Sequence, residues 1–465
     1  MTGRSDSLGG PLVLVVCCLA QFLAVLDGTV ANVALAAIRD DLGFSTTGLQ
    51  WVISAYTLSC AGFLLLGGRA ADLFGRREVF CAGLALFGSA SLAGGLAQDP
   101  AMLVVARAAQ GLGAAVMAPT SLSILANVYD EGAARNRAFG LWGTLGALGG
   151  ASGALVGGIV MEALSWRWIM LVNAPVALGL ALVAWRVIPQ LARREGRSFD
   201  LPGAIAVTAG LVLLTYGVVA SHRHGWTSVA TLAPLLGGLD LLALFAVIEA
   251  YVARAPLVPP RILRSRALVG ANVAAMCLGG AAISMWFFLS LYVQQVLGYS
   301  PLRAGLAFLP MSLTIVACTQ AASRLAARVG AGRVLAFGLT LLGGGLLALA
   351  QGSGSVLAPS LLCAAGIGCS FVSATIVATT GARREDAGLA SGLVNTSFQI
   401  GGSVGVALLA TIAAGGGFHA AFAAGSVFAL AGASAALSLI WPAHALRGVP
   451  RSAPAGRSGA VEPRP

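Results

Sequence analysis

Long runs of apolar residues alternate with short polar segments along almost the whole chain. An α-helix crosses a bilayer core with about 20 apolar residues, and windows of that length recur from residue 11 to residue 441. The pattern predicts fourteen transmembrane helices, at residues 11–37, 49–68, 79–97, 101–126, 138–161, 167–188, 200–221, 229–251, 268–297, 302–322, 333–351, 355–380, 388–413 and 419–441. The expected fold class is therefore an all-α polytopic membrane protein.

Composition agrees with this pattern. Of the 465 residues, 58% are hydrophobic and only 10% are charged, whereas soluble proteins carry roughly 25% charged residues. Lipid must therefore be the solvent for most side chains, which leaves no room for a soluble domain. The first apolar stretch is longer than a signal-peptide core, so we expect it to stay as the first helix.

The distribution of arginine predicts the orientation in the membrane. With the N-terminus inside, 23 of the 28 basic residues, all arginine, fall in internal segments and 4 fall outside. Because basic residues concentrate on the cytoplasmic side, both termini are predicted to be cytoplasmic. The chain is rich in Ala, Gly and Arg and lacks lysine. This bias favours a GC-rich bacterial genome, and hence a bacterial cytoplasmic membrane.

Several classes of function are disfavoured by the residue inventory. The net charge of +11 is spread over every predicted cytoplasmic turn, so nucleic-acid binding is not expected. Without lysine there is no Walker A phosphate loop, which excludes a pump that uses one to hydrolyse ATP. The 4 histidines lack zinc-ligand spacing, and the 8 cysteines lie in or beside apolar spans. We expect no metal and no cofactor, and a proton gradient as the energy source.

An internal repeat divides the chain. Adding 255 to positions in the first half returns the same residue type for Arg69 and Arg324, Gly75 and Gly330, Gly111 and Gly366, Gly113 and Gly368, Gly146 and Gly401, and Gly150 and Gly405. Duplicated bundles with a site between them are common in transporters. The offset predicts two parallel six-helix bundles, at 11–188 and 268–441. A linker at 189–267 would hold two inserted helices. The tails at 1–10 and 442–465 would be cytoplasmic, the second one disordered.

Charged residues inside apolar spans are the informative exceptions. They are Asp27 in predicted helix 1, Arg107 in helix 4 and Asp240 in helix 8. An acid at the bilayer centre costs about 2.5–3.5 kcal/mol on insertion scales, and such acids usually serve function. Asp27 is a candidate proton-binding carboxylate, with a structural hydrogen bond as the alternative. Asp27 and Arg107 map onto Ala282 and Leu362, so the repeat itself does not require these charges. Asp240 is expected to pack against a neighbouring helix, with a role in proton coupling as the alternative.

Five segments carry a family resemblance. They are Leu26–Leu35 in helix 1, the loop Gly68–Arg77, Arg107–Gly113 in helix 4, Trp166–Pro175 and Gln294–Pro310. In combination they resemble the fourteen-span drug:proton antiporters of the major facilitator superfamily, from about residue 12 to residue 440. The resemblance implies two parallel bundles with the inserted helices between them. It also implies transport by alternating access.

The antiporter motif of helix 5 departs from the family pattern at one position. The family motif is Gly-x-x-x-Gly-Pro-x-x-Gly-Gly, and its glycine frame is kept over Gly149–Gly158. Ala154 stands in place of the proline, which removes a helix-bending element.

The resemblance implies roles for individual residues. Proton coupling would fall on Asp27, with Arg107 as its counter-charge. Conformational gating would fall on Gly68, Asp72, Gly75, Arg76, Arg77, Gly149, Gly153, Gly157 and Gly158. Within this set, Asp72 would act as a latch beside Gly388 at the start of predicted helix 13.

Polar and aromatic side chains within the spans could line a pocket for a flat hydrophobic ligand. The candidates are Asn32, Gln110, Trp142, Trp286, Phe287, Tyr292, Asn395 and Gln399, together with Phe288, Phe308 and Met311. The alternative for most of the aromatic members is simple packing against core or lipid.

The sequence is best interpreted as a monomeric, proton-coupled exporter of a hydrophobic small molecule. The alternatives are an uptake permease for a small nutrient, and a membrane-embedded transferase acting on lipid-linked substrates. The transferase would need a cluster of catalytic groups at one membrane face. Asp40 and Asp41 form the only acidic pair predicted outside, so an enzyme is not expected.

The arginine asymmetry generates a test of the topology. Single cysteines at Arg77 and Asp99, in a variant without native cysteines, should differ in their reaction with an impermeant maleimide added to whole cells. We expect labelling at position 99 only, because positions 77 and 99 flank one predicted span and the arginine-rich end should be internal. Labelling at 77 alone would reverse the topology.

Overall fold

The computed structural model describes residues 9–45, 47–129, 133–190, 201–252, 264–352, 355–380 and 387–440, and within these ranges the regular structure is entirely helical. The helices are α1 (Gly9–Leu42), α2 (Trp51–Phe74), α3 (Arg76–Gly95), α4 (Pro100–Val128), α5 (Ala133–Ala163), α6 (Trp166–Leu171), α7 (Asn173–Val187), α8 (Leu201–His224), α9 (Val229–Val247), α10 (Arg266–Gln295), α11 (Pro301–Val329), α12 (Ala331–Ala350), α13 (Leu357–Thr380) and α14 (Ala387–Ala435). Short π-helical turns follow α9 at Ile248–Val252 and α14 at Ala436–Ile440.

The helices are long and apolar enough to make a membrane protein. Ten of the described segments could each cross a bilayer, or eleven if the bent α5 counts as one span. Shorter apolar helices occur at Trp51–Leu64 in α2 and Ile205–Ser221 in α8. The 49 residues of α14 bend at Gly417, where φ is 72°. The all-α class is confirmed, whereas the count of fourteen spans stays a prediction.

Two helical bundles contain the repeat. Helices α1 to α7 pack with one another, and so do α10 to α14. Contacts of α5 with α1 recur 255 residues later between α14 and α10: Gly146 meets Gln21 as Gly401 meets Met276, and Gly150 meets Val25 as Gly405 meets Gly280. The turns after α2 and α11 also match, because Gly75 and Gly330 have φ of 103° and 93°. Only glycine adopts that conformation readily.

The repeat shifts by two residues in α4 and α13. An ideal Cβ on Gly113 would lie 2.9 Å from the Gly83 carbonyl oxygen. The same contact in the second bundle joins Gly366 to Gly338, where the Cβ would lie 2.6 Å from the carbonyl oxygen. Gly113 therefore corresponds to Gly366 rather than to Gly368. Because each helix has two glycines two residues apart, the sequence allows Gly113 to align with either Gly366 or Gly368. The packing contacts support Gly366.

This shift changes which residue of the second bundle is equivalent to Arg107. The sequence offset pairs Arg107 with Leu362, which is 44% exposed, whereas Arg107 is fully buried. The packing register instead pairs Arg107 with Ser360, which is only 2% exposed. The second bundle thus carries a small hydroxyl where the first carries a buried cation.

The two bundles meet along the halves of the helices that are predicted to be external. The Ser290 hydroxyl of α10 donates to the Asn32 carbonyl oxygen of α1 at 2.6 Å, and Gln294 Nε2 donates to the Val33 carbonyl oxygen at 3.1 Å. On the other side of the interface, the hydroxyls of Thr57 in α2 and Ser403 in α14 share a hydrogen bond. With the predicted topology, this arrangement is closed toward the outside.

Helix α5 touches both bundles through the antiporter motif. An ideal Cβ on Gly149 would lie 2.6 Å from the Phe22 carbonyl oxygen of α1, and Gly153 and Gly157 face the same helix. Gly158 instead faces α11, where a Cβ would lie 2.7 Å from the Pro301 carbonyl oxygen.

Helix α5 is also bent, by 42° between its parts Arg137–Gly150 and Ser152–Ala163. Glycine and serine at the break are residue types found at helix kinks. A bend therefore forms although Ala154 replaces the motif proline.

The helices α8 and α9 form a hairpin beside the bundles. Thr208 of α8 packs against Gly62 of α2, and Thr411 of α14 donates to the Val218 carbonyl oxygen at 3.3 Å. Only 11% of the most apolar window of α9 is buried. Asp240 does not pack against a neighbour as the sequence suggested, because its position on α9 is exposed.

The crossing of α10 and α14 predicts a large difference between two Gly→Ala substitutions. A Cβ at Gly401 would overlap the Met276 main chain, whereas a Cβ at Gly344 on α12 meets no atom within 4 Å. Overpacking typically costs about 1–3 kcal/mol, so Gly401→Ala should lower the melting temperature of the purified protein. Gly344→Ala should leave it unchanged or raise it, because alanine favours helix. Equal melting temperatures for the two variants would contradict the crossing.

Candidate functional site

A buried ion pair lies at the centre of the first bundle. Asp27 on α1 and Arg107 on α4 are both fully buried. Arg107 Nη1 donates to Asp27 Oδ2 at 2.6 Å. Two of the three intramembrane charges predicted from the sequence are thus joined by a direct contact.

The Asp27 carboxylate accepts two further hydrogen bonds. Gln110 Nε2 donates to Oδ1 at 3.2 Å, and Asn173 Nδ2 donates to the same oxygen at 2.8 Å. Gln110 Nε2 also donates to the Ser91 hydroxyl at 2.7 Å. Three donors from α4 and α7 therefore converge on one carboxylate.

Arg107 has partners other than Asp27. Its Nε donates to the Val52 carbonyl oxygen at 3.0 Å, and Nη1 also donates to Gln110 Oε1 at 2.9 Å. The guanidinium carbon lies 4.5 Å from the centroid of the Tyr56 ring, which suits a cation–π contact. Tyr56 is itself fixed by donating to the Ala24 carbonyl oxygen at 3.1 Å. The cation is therefore held by several groups besides the carboxylate.

Local sequence explains this convergence. Arg107 and Gln110 are three residues apart, so they share one face of α4. Gly111 lets α4 approach α2 so closely that any Cβ would overlap the Tyr56 carbonyl group. Asn173 begins α7 directly after the short α6, and this position brings its amide to Asp27.

The energetics require such a complete set of partners. Removing two ions from water costs several kcal/mol each, and the pair repays this cost only when the geometry and extra hydrogen bonds are good. Arg107 Nη2 is the one nitrogen of the guanidinium without a hydrogen-bond partner among the described residues. The rest of the pair is fully engaged.

The loop residues predicted to gate the protein surround the turn between α2 and α3. Arg76 is buried and its Nε donates to the Ser123 hydroxyl of α4 at 2.7 Å. Arg77 stacks over Trp185 at 4.5 Å, and an ideal Cβ on Gly68 would lie 3.5 Å from Pro119. The side chain of Asp72 lies outside the described residues, so its latch role stays a prediction.

The proposed pocket residues do not gather in one place. Phe287, Phe288, Phe308 and Met311 are buried in an apolar core cluster that includes residues of both bundles, and Trp286 meets Phe308 edge to face. The first four side chains are at most 3% exposed, so they offer little free surface to a ligand.

The remaining candidates are dispersed. Asn32 donates from Nδ2 to carbonyl oxygens of its own helix, and Trp142 donates to the Ser121 hydroxyl at 2.9 Å. Tyr292 packs against Phe418 and Phe422. Asn395 and Gln399 are half-buried on α14. Gln110 belongs to the ion-pair network, and the substrate roles of the whole set stay predictions.

Sequence reasoning missed three contributors to the site. Asn173 falls inside the segment Trp166–Pro175 that carries part of the family resemblance, but nothing in the sequence connects it to Asp27. Ser91 and Tyr56 have no motif around them, and only the packing of α2 and α3 against α4 brings them in.

The fold and the site together define a polytopic membrane protein of two related helical bundles, with a sealed ion pair in the first. The family model described as the Major Facilitator Superfamily matches residues 17–406 and 271–464. The chain therefore belongs to the Major Facilitator Superfamily.

Curated relatives cover most of the chain. The cephamycin export protein CmcT of Amycolatopsis lactamdurans is 42% identical over 89% of this chain and 87% of its own length. The puromycin resistance protein pur8 of Streptomyces alboniger is 41% identical over 86% of this chain and 81% of its own length. The lincomycin resistance protein of Streptomyces lincolnensis is 34% identical over 86% of this chain and 83% of its own length.

Solved structures support the fold. A crystal structure of a mutant of the peptide transporter POT in complex with sulfate matches with a TM-score of 0.70 at 18% identity. The match covers 92% of this chain and 94% of that one. At this identity the likeness concerns the architecture alone.

The buried pair predicts non-additive effects on stability. Arg107→Leu leaves Asp27 buried without its counter-charge, which should cost about 3–5 kcal/mol. The double variant Asp27→Asn, Arg107→Leu removes both charges, so it should unfold at a higher temperature than Arg107→Leu alone. Thermal unfolding in detergent micelles measures this difference.

The matched control is Arg39→Leu, which removes the exposed pair of Arg39 with Asp40 and should change stability by less than about 1 kcal/mol. A double variant no more stable than Arg107→Leu would show that the pair is not the coupled unit inferred from the distances.

Proposed function

We propose that the chain is a proton-coupled exporter of hydrophobic small molecules across a bacterial cytoplasmic membrane. The observation that carries the proposal is the sealed Asp27–Arg107 pair, which unites a titratable acid and its counter-charge inside a transporter fold. Intramembrane acids of this kind commonly serve as proton relays.

The relatives support the direction of transport. Their names describe cephamycin export, puromycin resistance and lincomycin resistance, and a resistance transporter moves its compound outward. An uptake permease is therefore the less favoured alternative. An enzyme is disfavoured because superfamily members are transporters rather than catalysts. We expect the protein to act as a monomer, because both bundles and the buried pair lie within one chain.

The proton is proposed to bind the Asp27 carboxylate at Oδ2. Protonation neutralises the acid and removes the ionic attraction to Arg107 Nη1. Arg107 would remain held by the Val52 carbonyl oxygen, Gln110 Oε1 and the Tyr56 ring. The guanidinium therefore keeps partners when Asp27 is protonated. The expected structural result is a weaker contact between α1 and α4.

Helix α1 links this change to the interface between the bundles. Asn32 and Val33 lie on α1 about one and a half turns beyond Asp27, and their carbonyl oxygens accept the hydrogen bonds from Ser290 and Gln294 of α10. A movement of α1 against α4 would be transmitted directly to these contacts. A shift of one or two hydrogen bonds is enough to change the populations of two states that are nearly balanced.

The experiment measures substrate transport in inverted membrane vesicles. The substrates tested are puromycin, lincomycin and a cephamycin. We expect Asp27→Asn to abolish uphill accumulation and substrate-induced proton release, because the amide keeps the shape of the side chain and cannot titrate. The wild-type gradient should collapse when an uncoupler is added.

Asp40→Asn is the matched control, because Asp40 lies on the same helix, is exposed and pairs only with neighbouring Arg39 among the described residues. It should transport as the wild type does. An Asp27→Asn protein that still built an uncoupler-sensitive gradient would place the coupling elsewhere. A wild type that moved none of the compounds, and left the sensitivity of cells to a broader panel unchanged, would contradict export.

A further inference from the structure

An apolar groove lies on the outer surface of the α8–α9 hairpin. It has a volume of about 390 Å³ and is walled by Ile205, Ala206 and Ala209 of α8, by Leu241 and Leu244 of α9, and by Ile248 of the π-helical turn that follows α9. The groove occupies the first half of α8 and the second half of α9, which is the cytoplasmic half in the predicted topology. In this orientation the groove would open to the lipid of the inner leaflet.

An unpaired acid borders this groove. Asp240 directly precedes Leu241 and lies one turn before Leu244, so its side chain shares the α9 face that Leu244 contributes to the groove. Asp240 is exposed, and within the ranges that the structure describes it has no hydrogen-bond or salt-bridge partner. It lies about halfway along the helical segment Val229–Val252, close to the midplane of a bilayer.

The position of Asp240 restricts what can pair with it. Lipid headgroups stay at the surface, so they do not reach an acid near the midplane. A cation from this chain is also unsuited, because Arg107 is the one arginine that lies more than two residues inside a predicted span, and it is engaged in the buried pair. A membrane-dissolved organic cation fits both features, since its charge would meet the carboxylate and its apolar body would fill the groove. Pairing two opposite charges at low dielectric offsets the cost of placing either one there.

The groove is next to the place where the bundles meet. On the same stretch of α8, Thr208 packs against Gly62 of α2, two residues after Cys60. Cys60 in turn contacts the side chain of Gln399 on α14. A ligand in the groove would therefore be separated from the seam between α2 and α14 by the width of α8.

We propose that the groove of α8 and α9 is a binding site for lipophilic organic monocations, with Asp240 as the charge partner, and that it collects such substrates from the inner leaflet. This proposal rests on the proposed export function and adds to it a substrate class and a second site. It concerns binding, which needs neither a proton gradient nor Asp27.

The test compares two probes of the same shape and opposite charge, tetraphenylphosphonium and tetraphenylborate. Equilibrium binding of each is measured to the full-length protein in nanodiscs, after subtraction of binding to empty nanodiscs. We expect Asp240→Asn to weaken tetraphenylphosphonium binding by about tenfold, which corresponds to about 1.4 kcal/mol. Tetraphenylborate binding should not weaken.

Ala209→Phe fills the groove without touching the acid, so it should weaken tetraphenylphosphonium binding as well. Leu232→Phe enlarges an exposed residue at the other end of α9 and should bind as the wild type does. Wild-type affinity in either Asp240→Asn or Ala209→Phe would overturn the site, as would equal losses for both probes in Asp240→Asn. Asp27→Asn should still bind tetraphenylphosphonium, so failure of the coupling proposal and failure of this one are distinguishable.

Discussion

The constraint on which the first bundle depends is that two opposite charges have been placed where water does not reach. A carboxylate and a guanidinium buried together are tolerable only if nearly every lone pair and N–H group has a partner. Asp27 and Arg107 satisfy this by drawing hydrogen bonds from α2, α4 and α7. The positions of these helices around α1 are therefore tied to the chemistry of a single contact.

Close helix crossings make this convergence possible. Gly111 brings α4 against α2, and Gly149, Gly153 and Gly157 bring α5 against α1. In lipid no hydrophobic force drives helices together, so small residues at crossings have a large effect on packing. Helix α1 consequently makes two sets of contacts, one with the partners of the ion pair within its bundle and one with α10 across the interface. A movement of α1 would therefore change both sets of contacts.

The sequence was sufficient for the class, the repeat and the two charges, because each depends on hydrophobicity or on residues that are expensive in lipid. It was insufficient wherever two helix registers or neighbours fit the sequence equally well and only the packing distinguishes them. The paired glycines of α4 and α13 allowed two registers, and the wrong one gave Leu362 instead of Ser360 as the counterpart of Arg107. Asn173, Ser91 and Tyr56 joined the site through helix crossings that no local pattern encodes. Residue type alone suggests a pocket for the aromatic residues of α10, whereas the structure packs Phe287 and Phe288 into the core.

The two bundles differ in one respect that matters electrically. The second has Ala282 and Ser360 where the first has its acid and its arginine, and the pair in the first is neutral overall while Asp27 is ionised. If Asp27 takes up a proton as proposed, the first bundle carries one net positive charge within the membrane and the second carries none at this site. At this site, a membrane voltage therefore acts on the first bundle only. The energy involved is about 2.3 kcal/mol per 100 mV for one charge that crosses the whole field. With the cytoplasm negative, the voltage pulls the protonated site inward. Under the proposed coupling, the rocking step with Asp27 protonated and no substrate bound would be voltage-sensitive, and the return with Asp27 ionised would move charge only with a charged substrate.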